Sequence, residues 1–292
     1  MPPPLRAGLL LLAFLLGLPA SAFPHEQLEV RWEPRAPRQG DVAVVFVKAV
    51  GGASSVEGSL GEQSLSFFPD GEHYAALVGI DLLLKPAKLP WRISITDTEG
   101  TSLAVTGSLR VRRRQFPVQR LTLPPSQVDL DAKTLNRVKE ESRHLRSVFA
   151  TATSERLWDG RFAKPVGVPD PGKGFGARRI INGQPRSPHS GVDYSAAQGT
   201  PVVAANAGRV ALVAEHFFPG RLVVLDHGFG LYTFYFHLER VDVQPGQLVE
   251  RGQALGAVGA TGRATGPHLH FAARLGRARI DPTALLRLPF SD

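Results

Sequence analysis

The sequence predicts a mainly β protein in which two β domains are joined by a helix and a loop. Short apolar segments with the two-residue period of strands recur along most of the 292 residues. The 30 glycines and 24 prolines supply the turns that such short strands need. Apolar residues at helical spacing stand out in one segment, residues 131–149, so we expect few long helices.

The composition excludes several classes of protein. With 43% hydrophobic and 21% charged residues, the chain is neither a disordered tail nor a bundle of membrane helices. The absence of cysteine excludes disulfides, iron–sulfur clusters, thiolate zinc ligands, a cysteine nucleophile and a lipidated cysteine. Any metal must therefore be held by histidines and carboxylates. The net charge of +8 suits a polyanion, whether nucleic acid, an acidic membrane surface or an anionic cell wall.

The first 22 residues are predicted to be a signal peptide. Arg6 precedes an apolar run, residues 7–18, which is too short to span a bilayer. Small residues follow at positions 20–22, where a signal peptidase cleaves. We therefore expect an exported protein, periplasmic, secreted or associated with the cell wall. Its mature chain would begin at Phe23 and have no stable membrane anchor.

Residues 23–115 are predicted to form an Ig-like β-sandwich. Residues 42–47 are an unbroken apolar run, as in a buried strand, and residues 91–95 alternate strictly between apolar and polar. Turn signals such as Pro69-Asp70-Gly71 separate the strands at regular intervals. Nothing in this half clusters into a chemical site.

Residues 116–174 are predicted to be a helical linker followed by a loop. Asp131 is a candidate N-cap for a helix that runs to Phe149. Its apolar residues fall on one side; they are Leu135, Val138, Leu145, Val148 and Phe149. The proline- and glycine-rich residues 165–176 follow as a loop.

Strands and glycine turns resume from Phe175 to the end of the chain, and six of the nine histidines lie there. They are His189, His216, His227, His237, His268 and His270. In the first of three patterns, Asp193 follows His189 by four residues. On a straight strand these two would lie about 13 Å apart, too far to share a metal. Pro188 and Gly191 supply a bend, so convergence stays open.

The second pattern is His268-Leu269-His270-Phe271. Alternate residues of a strand face one side, so the two imidazoles would lie about 6–7 Å apart with Leu269 and Phe271 in the core. Such a pair can serve one metal site, although it is equally consistent with a chance polar face. In the third pattern, His237 ends an aromatic strand, where an isolated histidine is most often half-buried and structural.

The three patterns together indicate a hydrolytic zinc site. Zinc in hydrolases is commonly held by three nitrogen or oxygen ligands, with a fourth position open for water. Two neutral imidazoles and one carboxylate leave a charge of +1 on such a site. That charge lowers the pKa of the bound water, and the remaining histidines can move protons.

The order of these motifs resembles the lysostaphin-type (LytM-like) zinc metallo-endopeptidases of peptidoglycan. The similarity covers roughly residues 175–286 and includes six further segments. These are Phe175–Arg179, Asn182–Gly183, Gly199–Val202, Asp226–Gly228, Gly246–Gln247 and Gly259–Pro267. The resemblance implies that residues 175–292 are an antiparallel β-sheet peptidase domain with a duplicated hybrid motif-like topology.

The same resemblance implies a set of functional residues. His189, Asp193 and His270 would bind Zn²⁺, and His237 and His268 would activate water or stabilise the oxyanion. The substrate would be the stem peptides and cross-bridges of bacterial peptidoglycan. The family's additional tyrosine near the oxyanion has no clear counterpart in this sequence. Its candidates are Tyr194, Tyr232 and Tyr235.

Three other functions compete with this interpretation. The glycine-turn strands also resemble biotinyl- or lipoyl-carrier domains, but Lys173 is the last lysine of the chain, so the carrier lysine is missing. Few aromatic residues interleave with the arginines, which disfavours nucleic acid as a partner. The remaining alternative is a catalytically silent regulator of the same fold that binds the wall or activates an amidase. Such proteins typically lose metal ligands, whereas here all are present.

The role of the N-terminal half is open at this point. It could target the domain, act as a spacer or pack over the groove of the peptidase domain and inhibit it. If it inhibits, a fragment starting near Arg161 should be at least as active as the mature chain.

Overall fold

The computed structural model describes residues 28–49, 53–149 and 153–290. The predicted signal peptide, residues 1–22, lies outside this part of the chain. No helix within the described ranges is long and apolar enough to cross a membrane.

The fold is mainly β, as predicted. The strands of the first half are β1 (Leu28–Glu33), β2 (Val42–Ala49), β3 (Ser55–Leu60), β4 (Gln63–Leu65), β5 (Phe68–Asp70), β6 (His73–Gly79), β7 (Lys88–Thr96), β8 (Ser102–Arg110) and β9 (Val118–Leu121). A 3₁₀ turn (Pro125–Gln127) and the helix α1 (Ala132–Val148) follow. The strands of the second half are β10 (Arg178–Ile181), β11 (Gln184–Pro185), β12 (Gly191–Ser195), β13 (Pro201–Val203), β14 (Gly208–His216), β15 (Gly220–Asp226), β16 (Leu231–Val241), β17 (Leu248–Val249), β18 (Ala254–Val258), β19 (His268–Leu275) and β20 (Ala278–Ile280), before the short helix α2 (Pro282–Leu285).

The first half contains two four-stranded antiparallel sheets. Their strand orders are β1-β2-β6-β5 and β4-β3-β7-β8. Alternate residues of each sheet meet in one apolar core, in which Val45 and Val78 come from the first sheet and Ile93 from the second. Two sheets that share one core form a sandwich. The Ig-like assignment of this unit stays a prediction.

The second half is built on one large antiparallel sheet. Its main path runs β12-β19-β16-β15-β14-β17, while β13 and β18 pair with each other and β20 pairs with β19. Alternate residues of the strands point to one face of the sheet and are fully buried there. Examples are Tyr194 on β12 and Leu269 and Phe271 on β19. The opposite face carries a second apolar cluster, which includes Val224 and Phe234, and the polar residues Asp193 and His270 at alternate positions of β12 and β19. The duplicated hybrid motif-like topology stays a prediction.

The helix α1 packs on this large sheet with its C-terminal part. Asp131 caps it as predicted, because its side chain accepts a hydrogen bond of 2.7 Å from the Thr134 amide. Phe149, which follows the helix, lies edge-on to Tyr232 and Phe234, with ring centroids 5.3 and 5.7 Å apart. Leu135, at the other end of the predicted apolar face, is 42% exposed. Only the C-terminal end of that face is therefore covered by the sheet.

The sandwich docks on the second half through aromatic contacts, ion pairs and backbone hydrogen bonds. Phe68 of β5 packs against Trp158 and Phe290, with ring centroids 5.3 and 5.9 Å apart. The Arg279 guanidinium donates to both carboxylate oxygens of Asp81, at 2.8 and 3.1 Å. These contacts lie at the β19–β20 turn and the C-terminal segment, so they fix the sandwich at that end of the sheet.

Candidate metal centre

Strand register brings the residues of the predicted site together. In the β12–β19 pair, Asp193 lies directly opposite His270 and Ser195 lies opposite His268. His189 precedes β12 in the bend that the sequence suggested. Gly191 permits the close approach of the two strands, since a Cβ there would lie 2.8 Å from the Nε2 atom of His270.

Three of these side chains converge on a single point. The His189 Nε2 and His270 Nδ1 atoms are 2.9 Å apart, and the Asp193 Oδ1 atom lies 3.2 and 2.8 Å from them, respectively. His189 and His270 are almost fully buried. The bend before β12 thus overcomes the 13 Å separation of a straight strand, and the three residues could hold a metal ion.

The electrostatics keep His270 and Asp193 in the forms that bind metals. Burial lowers the pKa of His270 to about 4, so its imidazole is neutral at neutral pH. Burial opposes ionisation of Asp193, but hydrogen bonds from His189 and His270 hold the pKa of this carboxyl well below its usual range. One carboxylate and two imidazoles in their metal-binding form provide three lone pairs for a cation.

The buried His189 ring has a second nitrogen whose setting differs. Its Nδ1 atom has no hydrogen-bond partner among the described residues. Gly174 lies against it, with φ of +97°, and a Cβ at that position would lie 2.6 Å from Nδ1. The glycine therefore provides the space that the imidazole occupies.

His237 and His268 lie beside the convergence point with their rings 4.7 Å apart. The Nδ1 atom of His237 donates to the Thr261 carbonyl oxygen, and that of His268 donates to the Gly266 carbonyl oxygen, each at 2.8 Å. Because carbonyl oxygens only accept, both Nδ1 atoms carry a proton, and in a neutral ring the Nε2 atom then keeps the lone pair. The His268 Nε2 atom lies 3.8 Å from Asp193 Oδ1.

The backbone at His237 is in the left-handed region, with φ of +65°. This conformation costs roughly 1 kcal/mol or more for a residue other than glycine. The His237 amide donates to the Pro219 carbonyl oxygen at 2.8 Å, and this bond holds the turn. Burial, followed by the charges of His270 and His268, lowers the pKa of His237 to about 3. The ring is therefore a neutral proton acceptor at neutral pH.

These residues form the floor of a groove of about 300 Å³. One wall comes from the segment that was predicted to be only linker and loop. There β9 pairs in parallel with β10, and Gln119, Leu121 and Leu123 line the groove. None of the described lining residues belongs to the sandwich, and the first half contributes to the groove through β9 and the residues just after it. Whether the first half targets, spaces or inhibits stays a prediction.

The tyrosine candidates lie elsewhere. The Tyr235 hydroxyl accepts from the Ala205 amide at 2.9 Å, and the Tyr232 hydroxyl donates to the Val148 carbonyl oxygen at 3.2 Å. The Tyr194 hydroxyl is buried without a partner among the described residues. None of the three is among the described residues that line the groove, so the structure brings none of these candidates beside the metal centre.

The two other histidines of this half take no part in the groove. His227 is fully buried, and its ring nitrogens pair with the Ala207 carbonyl and the Thr233 hydroxyl at 2.7 Å each. His216 lies against His144 of α1 at 5.9 Å. The sequence analysis assigned no role to two arginines that line the groove, Arg179 and Arg263.

The antiparallel sheet carries a buried His–Asp–His cluster that could hold a metal ion. Residues 187–282, about a third of the chain, match Peptidase family M23.

Two curated proteins illustrate the similarity in sequence. The peptidoglycan DD-endopeptidase ShyB of Vibrio cholerae is 45% identical over 84 residues, which are 29% of this chain and 20% of that protein. The DD-carboxypeptidase/endopeptidase Mpg of Neisseria meningitidis is 39% identical over 97 residues, 33% of this chain and 22% of that protein. The chain thus matches about a fifth of the length of these curated relatives.

A solved structure extends the similarity to the first half. It is a Pseudomonas aeruginosa protein provisionally assigned to peptidase M23, with a TM-score of 0.60 and 28% sequence identity. The match covers 86% of this chain and 95% of that one. The arrangement of the two halves is therefore similar in another protein.

The contacts of β9 and Trp158 predict that the second half of the chain depends on the segment before it. A fragment starting at Arg161 lacks the β9 wall and Trp158, which is only 1% exposed. Loss of a buried aromatic side chain alone costs about 3–5 kcal/mol. We expect this fragment to unfold at a lower temperature than the mature chain and to turn over a soluble cross-linked muropeptide more slowly.

The matched control is a fragment that starts at Arg113 and keeps β9, α1 and Trp158. Both fragments lack the sandwich, so their difference reports on residues 113–160 alone. Equal melting temperatures and equal rates for the Arg161 fragment and the mature chain would contradict this prediction.

Proposed function

We propose that the chain is an exported zinc metallo-endopeptidase that hydrolyses peptide cross-links of bacterial peptidoglycan. The observation that carries the proposal is the convergence of His189, Asp193 and His270 beside the two free Nε2 atoms of His237 and His268. A catalytically silent protein would need none of these five side chains in this arrangement.

Zinc is the proposed ion because the three ligand atoms fit it. Two imidazole nitrogens and one carboxylate oxygen are a common set for catalytic zinc, with one position left open. Bonds of about 2.0–2.1 Å in a tetrahedral site separate neighbouring ligand atoms by roughly 3.3 Å. The observed separations of 2.8, 2.9 and 3.2 Å need shifts of only a few tenths of an ångström.

The residues around the ligands are arranged for hydrolysis of an amide. Zinc, when bound, supplies a Lewis acid that polarises the scissile carbonyl and makes water nucleophilic near neutral pH. The His237 Nε2 atom can accept a proton from the attacking water, since its Nδ1 proton is held by Thr261. His268, with Nε2 as its free atom, is placed to carry a proton or to stabilise the developing oxyanion.

Arg179 supports the carboxylate ligand from outside. Its Nη2 atom lies 3.7 Å from the Asp193 Oδ2 atom, while Oδ1 faces the two imidazoles. The Nε atom of Arg179 donates to Gln119 on β9 at 3.1 Å. The β9 strand thereby helps to orient a metal ligand, as partners outside the ligand set commonly do.

Peptidoglycan is the proposed substrate on three grounds. The similar proteins ShyB and Mpg are a peptidoglycan DD-endopeptidase and a DD-carboxypeptidase/endopeptidase. The predicted signal peptide, residues 1–22, would deliver the chain to the periplasm or the cell wall. The charge of +8 favours residence on an anionic wall. We also propose that residues 23–115 are an Ig-like domain, and the apolar core that their two antiparallel sheets share supports this proposal.

Mass analysis of muropeptides tests the proposal. The purified mature chain, incubated with cross-linked peptidoglycan, should convert cross-linked dimers to monomers. A chelator should stop the reaction, and added zinc should restore it. Intact dimers after incubation of a zinc-loaded protein would instead favour the catalytically silent regulator.

A further inference from the structure

Two arginines line one side of the groove, and the metal site accounts for only one of them. Arg179 lies on β10, and Arg263 lies in the loop before β19. The one carboxylate among the described lining residues is Asp193. Since Asp193 faces the two metal-binding histidines and Arg179, Arg263 is left without a carboxylate partner in the groove.

The Arg263 side chain is held in place by an aromatic ring. Its guanidinium carbon lies 4.0 Å from the centroid of the Phe218 ring, and its backbone amide donates to the Phe218 carbonyl oxygen at 2.9 Å. The preceding Gly262, with φ of +71°, lets the two loops meet, since a Cβ there would lie 2.6 Å from that same oxygen. Stacking of this kind fixes the plane of a guanidinium and leaves its edge free.

Most of the hydrogen-bonding capacity of Arg263 is unused. A guanidinium has five N–H donors. Within the described part of the chain, the side chain makes one hydrogen bond, from Nη1 to the Gln127 carbonyl oxygen at 3.5 Å, and no ion pair. Burial, and then the positive charges of Arg179 and Arg186, lowers the pKa of Arg263. An anion bound here would relieve that repulsion and use the free donors.

We propose that Arg263 binds a carboxylate of the substrate, so that the groove selects peptides with a free carboxylate close to the scissile bond. A planar guanidinium pairs with a carboxylate through two parallel hydrogen bonds, a geometry that gives both affinity and specificity. This inference rests on the proposed function, because it concerns the substrate of the same site. The carboxylate could be the terminal one of a stem peptide or one on a side chain.

Binding experiments separate recognition from turnover. The probes are a soluble cross-linked stem-peptide dimer with free carboxylates and three amidated forms: terminal carboxylate only, side-chain carboxylates only, and all carboxylates. Dissociation constants are measured by calorimetry with zinc-loaded full-length His237→Ala protein, which should not consume the probes. The same measurements are repeated with Arg263→Gln added. The matched control is Arg240→Gln, since Arg240 is exposed and pairs with Asp242 outside the groove.

We expect the free dimer to bind roughly 10- to 100-fold more tightly than the fully amidated one, the range of a charged hydrogen-bonded pair. Arg263→Gln should abolish this difference, and Arg240→Gln should preserve it. Two probes are amidated at one kind of carboxylate only, terminal or side-chain. The one that binds as weakly as the fully amidated dimer identifies the carboxylate that Arg263 recognises. Should Arg263→Gln fail to retain zinc, Arg263→Lys replaces it and should lose part of the difference, because it keeps the charge without the fork.

Equal affinity of the free and amidated dimers would overturn the proposal, and so would an equal loss of both in Arg263→Gln. Absence of binding to every dimer would overturn it as well. If the free dimer binds preferentially but the wild-type protein cleaves none of the probes, the proposed function fails and the carboxylate site stands.

Discussion

Replacing His270 with alanine is expected to remove the metal. The His270 Nδ1 atom lies within 3 Å of both other ligand atoms, at 2.9 Å from His189 and 2.8 Å from Asp193. Even partners outside the ligand set change metal affinity 10- to 100-fold, so a lost ligand should cost more than about 100-fold. Elemental analysis after dialysis should find about one zinc per wild-type chain and almost none in His270→Ala.

Thermal unfolding gives a second readout for the same variant. A metal that binds only the folded chain raises its melting temperature, so a chelator should lower that of the wild type. His270→Ala should melt at the same temperature with and without chelator. His216→Ala is the control, because His216 is also buried but lies outside the groove. Full zinc occupancy in His270→Ala would show that the ligand assignment is wrong.

The sequence predicted those parts of the site that depend on the two-residue alternation of side chains along a strand. His268 and His270 lie on one face of β19, while Leu269 and Phe271 are fully buried, as the alternation required. The mainly β architecture followed in the same way from alternation and turn residues. Such patterns are local, so a single strand is enough to reveal them.

The relation between His189 and Asp193 could not be read from spacing alone. Four residues apart on a strand, they would be too distant, and only the bend before β12 brings their ligand atoms to 3.2 Å. The glycine at position 191 was a usable signal of that close approach. The side chain that a Cβ at position 191 would meet lies on β19, however, about 80 residues further along the chain.

The wall of the groove depends on contacts between distant segments. The four-residue strand β9 has no clear alternation and is defined by its parallel pairing with β10, some 60 residues away. Arg263 acquires its setting from Phe218, and the left-handed backbone of His237 carries no glycine to mark it. Tertiary contacts decide all three, and no periodicity in the sequence reports them.

His237→Ala and His268→Ala are expected to keep the zinc and lose activity. Neither side chain supplies one of the three converging ligand atoms, and each presents a free Nε2 atom beside them. Removing a group that transfers a proton in the transition state typically costs about 10²–10⁴-fold in rate. The measurement is the initial rate on a soluble cross-linked muropeptide together with the zinc content of each variant.

The comparison with His270→Ala and His216→Ala separates the possible roles of the two histidines. Loss of zinc from His268→Ala as complete as from His270→Ala would make His268 a ligand. An unchanged rate, like that expected of His216→Ala, would leave that histidine with a structural role. For His237, this outcome would mean that its left-handed backbone, with φ of +65°, stabilises the turn at Pro219 and has no role in catalysis.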